Sequence, residues 1–165
     1  MRGSITISAL EGADSEWVRM FLIEHFGSTR VVSRGVMHQA DELPGFIALY
    51  DGEPRALLTY AHRGDELEVV TLHAATPGLG LGSRLIAAAR ELACNLRCRR
   101  IWLITTNDNH PAIRFYERRG MRIAAVHRGA IAESRKLKPE IPFLGVGGRA
   151  IEDEVEFELL LTPSG

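Results

Sequence analysis

Two sets of residues in this chain have types and spacing that could do chemistry. The first is the run Thr76-Pro77-Gly78-Leu79-Gly80-Leu81-Gly82-Ser83-Arg84, in which three glycines alternate with leucines. A β-like run, Leu67 to Ala74, precedes it and an alanine-rich helical run follows. Glycine permits positive φ and lets a ligand approach the backbone closely. A turn of this kind that opens a helix leaves N–H groups pointing outward at the positive end of the helix dipole, which makes an anion site. The same run also reads as a tight strand-to-helix turn without a ligand. The second set is Glu68 and His73, both in the preceding strand. The same-face neighbours of Glu68, Val70 and Leu72, are apolar, so a carboxylate there is unusual unless it faces a cleft; a strand-edge glutamate in solvent is the alternative. An imidazole titrates near neutrality, so His73 could serve as a base, or be a strand residue with one satisfied hydrogen bond.

These groups need a scaffold. Ile5-Thr6-Ile7 predicts a first strand. Asp14 stands at a helix N-cap, Trp17, Met20, Phe21 and Phe26 form an apolar stripe, and Gly27 is the stop. Ser28 to Glu42 is the least readable segment: Val31-Val32 suggests a strand and Met37 to Ala40 the end of a short helix. Phe46 to Tyr50, Arg55 to Ala61 and Leu67 to Ala74, joined at Asp51-Gly52-Glu53 and Arg63-Gly64-Asp65, read as an antiparallel meander. After the glycine run, Leu85 to Leu96 is helical, and Arg100 to Thr106, read as apolar throughout, is expected to be buried on both faces. That strand–loop–helix–strand unit implies a parallel pair with a right-handed crossover. Asn109 or Asp108 caps a second helix with Pro111 in its first turn and Gly120 as its stop. Met121 to Val126 is a further strand. Gly129 to Gly148 is rich in Gly, Pro and cations, with one helical turn around Ile131 to Arg135. Ile151 to Leu161 closes as a strand in which Val155, Phe157 and Leu159 alternate with Glu154, Glu156 and Glu158.

The 165 residues suit one α/β domain spanning 1–165. With 45% hydrophobic and 25% charged residues the composition is that of a globular protein. A net charge of -1 is unlike a nucleic-acid binder, although arginines crowd the middle of the chain, from Arg97 to Arg128. These arginines read as a solvated surface, or in part as a field that steers a polyanionic ligand. Cys94 and Cys98, at i and i+4 on a predicted helix, are poorly placed for a disulfide, and two thiols alone make no metal site, so both are expected in the core. Without a signal peptide or an apolar run long enough to cross a bilayer, the chain reads as soluble and cytoplasmic, with no membrane partner.

The glycine run after a strand, followed by Asn109-His110-Pro111-Ala112-Ile113-Arg114-Phe115-Tyr116-Glu117-Arg118-Arg119-Gly120-Met121, resembles the GNAT superfamily of acyl-CoA-dependent N-acyltransferases. Asn109, Ala112, Tyr116 and Gly120 hold the spacings of that family's second helix. The likeness covers residues 46 to 126 and a last strand. Three positions depart from it: Pro77 stands where Arg or Gln is usual, Met121 replaces a Phe, and Ala75-Thr76 is a short connection. The resemblance implies a mixed, mostly antiparallel central sheet with a splayed parallel pair, flanked by helices. It also implies acetyl-CoA as cosubstrate. The pyrophosphate would lie over the N–H groups of Gly78, Leu79, Gly80, Leu81, Gly82 and Ser83, with Arg84 as a charge partner, while Pro77 has no N–H to offer. The pantetheine would run along Leu72, His73 and Ala74, and Asn109 would cap its helix and touch the cofactor. Tyr116 matches the family's general acid at the sulfur, and a glutamate early in the strand, here Glu68, is its common base; His73 competes for that role. The partner would be an amine acceptor, and the family's habits allow a homodimer through the last strands.

Acyl transfer to an amine needs a neutral amine, a stabilised carbonyl oxygen and a proton for the leaving thiolate. A phenol is protonated at neutral pH and can supply that proton. The expected activity is therefore direct N-acetyl transfer in a ternary complex, with the acceptor a small amine, an amino-acid derivative or a protein amine. The loop from Gly129 to Gly148, with Arg135, Lys136 and Lys138, would wall the acceptor site, and its charges would favour an acidic acceptor or simply be solvated. Two other classes stand beside this reading. One is an acyl-CoA sensor of the same fold without turnover. The other is a nucleotide-binding α/β domain, which lacks support because no Gly-Lys-Ser/Thr follows the loop and the first half is antiparallel.

Overall fold

The computed structural model describes residues 3–162. In chain order its elements are β1 (Ile5–Ala9), α1 (Ser15–Phe26), β2 (Arg30–Ser33), β3 (Val36–Gln39), β4 (Gly45–Tyr50), β5 (Glu53–Arg63), β6 (Glu66–Ala74), α2 (Leu81–Asn95), β7 (Arg100–Thr106), α3 (His110–Arg118), β8 (Arg122–His127), α4 (Ala130–Leu137) and β9 (Glu154–Leu160). A seven-stranded sheet runs in the order β1-β4-β5-β6-β7-β9-β8, and β2 with β3 forms a separate hairpin. Only β6 and β7 are parallel; every other neighbouring pair is antiparallel.

Period-two alternation sends each strand's residues to two cores. On one face α2 lays Leu81, Leu85, Ala89 and Ala93, spaced by one helical turn, over Ala48, Leu58, Leu67, Leu103 and Phe157. On the other, α1 sets Val18, Phe21 and Leu22 over Leu57. Leu57 and Leu58 thus serve opposite cores. Each fully buried leucine contributes roughly 1.5–3 kcal/mol relative to exposure.

Several sequence expectations need correction. Met37 to Gln39 is strand, not helix: β2 and β3 pair from Arg30↔Gln39 to Ser33↔Val36 around Arg34-Gly35, both at positive φ (47° and 75°). A two-residue turn of that conformation is usually signalled by Asn-Gly, and Arg-Gly hides it. Strand β7 is buried only at Ile101, Leu103 and Thr105, because its other face fronts a polar cleft. Met20 turns outward on α1. Cys98 is buried beyond the end of α2, whereas Cys94 is exposed on the outer side of the helix. The single turn expected near Ile131 is the eight-residue α4.

Candidate cofactor and catalytic site

The site begins where two strands part. Strands β6 and β7 are paired only from Glu66↔Arg100 to Val69↔Leu103, so Val70 to Ala74 have no partner on the β7 side. On the β5 side the register shifts between Thr59↔Thr71 and Tyr60↔Val69, leaving Val70 as a bulge. A bulge increases local twist and re-aims the strand. Here it accompanies the opening of the fork, and β9 continues along β7 as far as Thr106↔Glu154.

At the end of β6 the chain turns through the glycine run into α2. Gly78 and Gly80 sit at φ of 84° and 74°, where a side chain would be strained, and Gly80 is the N-cap of α2. Gly82 is glycine for another reason: a Cβ there would lie 3.0 Å from Cζ of Phe115. Among the described residues no N–H from Gly78 to Ser83 donates to the protein, and the first helical bond runs from Arg84 N–H to Gly80 O at 3.1 Å. All of the residues from Gly78 to Ser83 but Leu79 line a cavity of about 600 Å³ whose wall includes Leu72, His73, Ala74, Gly78, Gly80 and Leu81. Gly82 and Ser83 complete that side. Leu79 and Arg84 instead line a recess behind the loop, with Ile5 and Tyr50.

Helix α3 forms the opposite wall. Asn109 caps it, accepting from Ala112 N–H at 3.3 Å, and does not line the cavity. Ala112, Phe115, Tyr116 and Arg119, at i, i+3, i+4 and i+7, present one face to the cavity. Tyr116 packs against Phe115 and Phe157, with ring centroids 5.4 and 5.6 Å away. Burial pushes its phenol up to about 12, so it is a protonated donor in the cavity wall. Arg119 donates to Ser83 Oγ at 2.6 Å and lies 4.2 Å over the Phe115 ring. In the sequence Arg119 is one of the arginines that read as a solvated surface. Its one-turn spacing from Phe115 was the signal that could have found it.

Glu68 is on the other side of the fork. Leu67 and Val69 point into the α2 core, so Glu68 points toward the β2–β3 hairpin. It is buried, accepts from Ser33 Oγ at 2.6 Å, and lies 3.6 Å from His38 Nε2. Burial raises its carboxyl to about 7, outweighing the lowering by the Ser33 hydrogen bond and Arg63. Glu68 and Tyr116 therefore approach the fork from opposite faces. His73 is occupied elsewhere: its ring stacks on His25 at 4.3 Å and meets Phe21 at 5.8 Å, and burial, then His25, lower its pKa.

The hairpin that covers Glu68 is held by a second buried carboxylate. Glu154 accepts from the Arg34 backbone N–H at 3.2 Å and from its guanidinium at 3.0 Å. The remaining acids of β9 are paired as well: Arg100 reaches Glu156 at 2.8 Å and Glu158 at 3.0 Å, and His127 lies 2.9 Å from Glu156. Of the cations of the 129–148 segment, Arg135 donates to the carbonyls of Pro142 and Ile151 and Lys138 to that of Arg30, while exposed Lys136 pairs with Glu133. They do not line the recess at Glu68.

A forked parallel pair, a donor-lined turn at its mouth and the helix of Tyr116 across from it match the architecture that the sequence resemblance implied. Comparison with known proteins agrees: the Acetyltransferase (GNAT) family matches residues 13–121, and the chain belongs to that family. It is 37% identical over 142 residues to the uncharacterised protein YdhI of Bacillus subtilis strain 168, covering 86% of this chain and 89% of that one. Among solved structures, the IAA acetyltransferase from Bacillus cereus ATCC 14579 superposes with a TM-score of 0.72 at 17% identity, over 96% of this chain and 100% of that one. A GNAT family acetyltransferase from Elizabethkingia anophelis, solved with acetyl-CoA bound, has a TM-score of 0.69 at 15% identity, over 95% and 98% of the two chains. At those identities the structural likeness is one of fold. Among the described residues no helix is long and apolar enough to cross a membrane.

Proposed function

We propose that the protein transfers an acetyl group from acetyl-CoA to a primary amine by direct attack in a ternary complex. The observation that carries this reading is the run of unbonded N–H groups at Gly78, Gly80, Leu81, Gly82 and Ser83, residues that line the same cavity as Tyr116. A pyrophosphate suits those donors and the start of α2, while the unpaired edge of Leu72 to Ala74 offers backbone groups to an amide-bearing arm such as pantetheine. That arm would bring the thioester to the fork. There the amine nitrogen attacks the carbonyl carbon, the C–S bond breaks, and the electron pair leaves with sulfur. Tyr116 protonates the departing thiolate, and Glu68 takes the proton that the neutral amine nitrogen sheds as it bonds to the carbonyl carbon, directly or through water. Arg119 and Arg84 supply positive charge on either side of the loop. Asn109 acts through its helix cap, and His73 stays neutral in its aromatic stack.

Calorimetric titration with acetyl-CoA, followed by thiol release over a panel of amines, tests the reading. Wild type and Tyr116→Phe should bind while Gly80→Asp should not, and only wild type should release thiol quickly. Binding without release on any amine would make the domain a sensor. No binding at all would remove the acetyl-transfer reading.

A further inference from the structure

The recess on the hairpin side of the fork carries information about the acceptor. It encloses about 220 Å³ and is lined by Ser33, Arg34, His38, Arg63, Glu68 and Trp102, with Glu66 at its edge. That is the liquid volume of about seven waters, enough for a small molecule and too little for a folded surface. Its charges are unevenly satisfied. The Arg34 guanidinium belongs to Glu154. Arg63 lies directly across the strand pair from Glu66, its natural carboxylate partner. Glu66, however, is taken by Arg99 at 2.6 Å and by Arg100 at 2.7 Å. Among the described residues Arg63 is left with no carboxylate of its own, at the rim of a recess whose floor is Glu68. His38 adds no positive charge, because burial and Arg63 both lower its pKa.

We infer that the acceptor is a small aminocarboxylate whose amine lies at Glu68, whose carboxylate pairs with Arg63, and whose side chain rests on Trp102. This inference rests on the acetyl-transfer reading. A guanidinium is suited to a carboxylate because it can donate two parallel hydrogen bonds, and exposed Arg63 can swing to meet one without losing a protein partner. The basic 129–148 segment plays no part: Arg135 and Lys138 donate to backbone carbonyls, Lys136 pairs with Glu133, and none of the three lines the recess.

The test is thiol release from acetyl-CoA with four acceptors: 2-aminobutyrate, its amide, propylamine, and a tripeptide beginning with the same residue. Intrinsic amine basicity differs among them, so the decisive quantity is how their ratios change on substitution. Wild type should favour 2-aminobutyrate, and Arg63→Gln should reduce its kcat/KM at least tenfold more than that of propylamine, chiefly through KM. Arg63→Lys should recover part of the preference. Equal losses on all four acceptors, faster turnover of the tripeptide, or no thiol release from 2-aminobutyrate by a protein that binds acetyl-CoA would each overturn the inference. Acetyl-CoA titration of every variant keeps the readings separate. Failure of wild type to bind would remove acetyl transfer itself, and with it the acceptor.

Discussion

At the scale of single residues, burial displaces the pKa values of both proposed proton-transfer groups, and it is Glu68 whose shift carries it toward the pH at which it would act. Tyr116, held near 12 by burial, keeps its proton until a thiolate develops beside it. Tyr116→Phe should leave acetyl-CoA affinity within about twofold and lower kcat by roughly 10²-fold, the scale of a lost general acid. Steady-state thiol release and calorimetry on one preparation check both numbers. Glu68, near 7 instead of the usual 4.5, has a sharper signature. An acceptor amine titrates well above neutrality, so below about pH 7 two protons must leave before reaction and above it only one. A plot of log kcat/KM against pH should rise with a slope of two, bending to one near pH 7; Glu68→Gln should show a slope of one throughout. A single slope in wild type would remove Glu68 as the base.

The same shift has a consequence for stability. Between about pH 4.5 and 7 the folded protein keeps the Glu68 proton while the unfolded chain has lost it. The native state then binds more protons than the unfolded state, so stability falls as pH rises through that window. A shift of this size is worth about 3 kcal/mol at most. Glu68→Gln cannot ionise, so relative to wild type it should gain roughly 2–3 kcal/mol between pH 5 and pH 8, read by urea unfolding at both. The variant should be sturdier and slower, as expected where a charge is buried for function.

At the scale of elements, the start of α2 divides its glycines by purpose. Gly80→Ala meets no neighbouring atom but must hold φ near 74°, which costs about 1–2 kcal/mol of stability. Gly82→Ala gains helix propensity of about 0.8–1 kcal/mol and instead presses on Phe115, part of the cavity wall. Its stability should stay near that of wild type while acetyl-CoA affinity drops several-fold; urea unfolding and calorimetry separate the two effects. This loop was legible in the sequence because its chemistry is backbone chemistry, and glycine announces that directly. The meander and the parallel pair were legible for a similar reason: alternation and turn residues are local. The β2–β3 hairpin was not, since Arg34-Gly35 carries a weak turn signal and its anchor, Glu154, lies 120 residues away. The acid row of β9 reads locally as one face of a strand. Only its long-range partners, Arg34, Arg100 and His127, show that this face is the floor of a cleft. Arg119 is hidden for a related reason: along the chain it is one of many arginines, and only around the helix does it share a face with Phe115 and Tyr116.

At the scale of the whole molecule, two cores hold the two sides of one fork. The α2 core fixes the glycine run and, through Phe157, Tyr116; the α1 core fixes Leu57, whose strand partner is His73 on β6. A ligand seated between β6 and β7 would tie the halves together by replacing the strand pairing that stops at Val69↔Leu103. A ligand that binds only the folded state stabilises it by mass action, about 2.7 kcal/mol at a hundred times Kd. For a chain of this size roughly 2–4 °C accompanies each kcal/mol, so acetyl-CoA at that concentration should raise Tm by about 5–10 °C. ATP offers phosphates to the Gly78–Ser83 donors but has no arm for the open edge of β6, and should give a much smaller rise at equal concentration. Hydrogen exchange should then slow at Val70 to Ala74 with acetyl-CoA and not with ATP, because only a strand-like arm can satisfy that edge. Equal protection by the two ligands would mean that binding stops at the phosphate loop, and the fork would lose its role in placing the thioester between Tyr116 and Glu68.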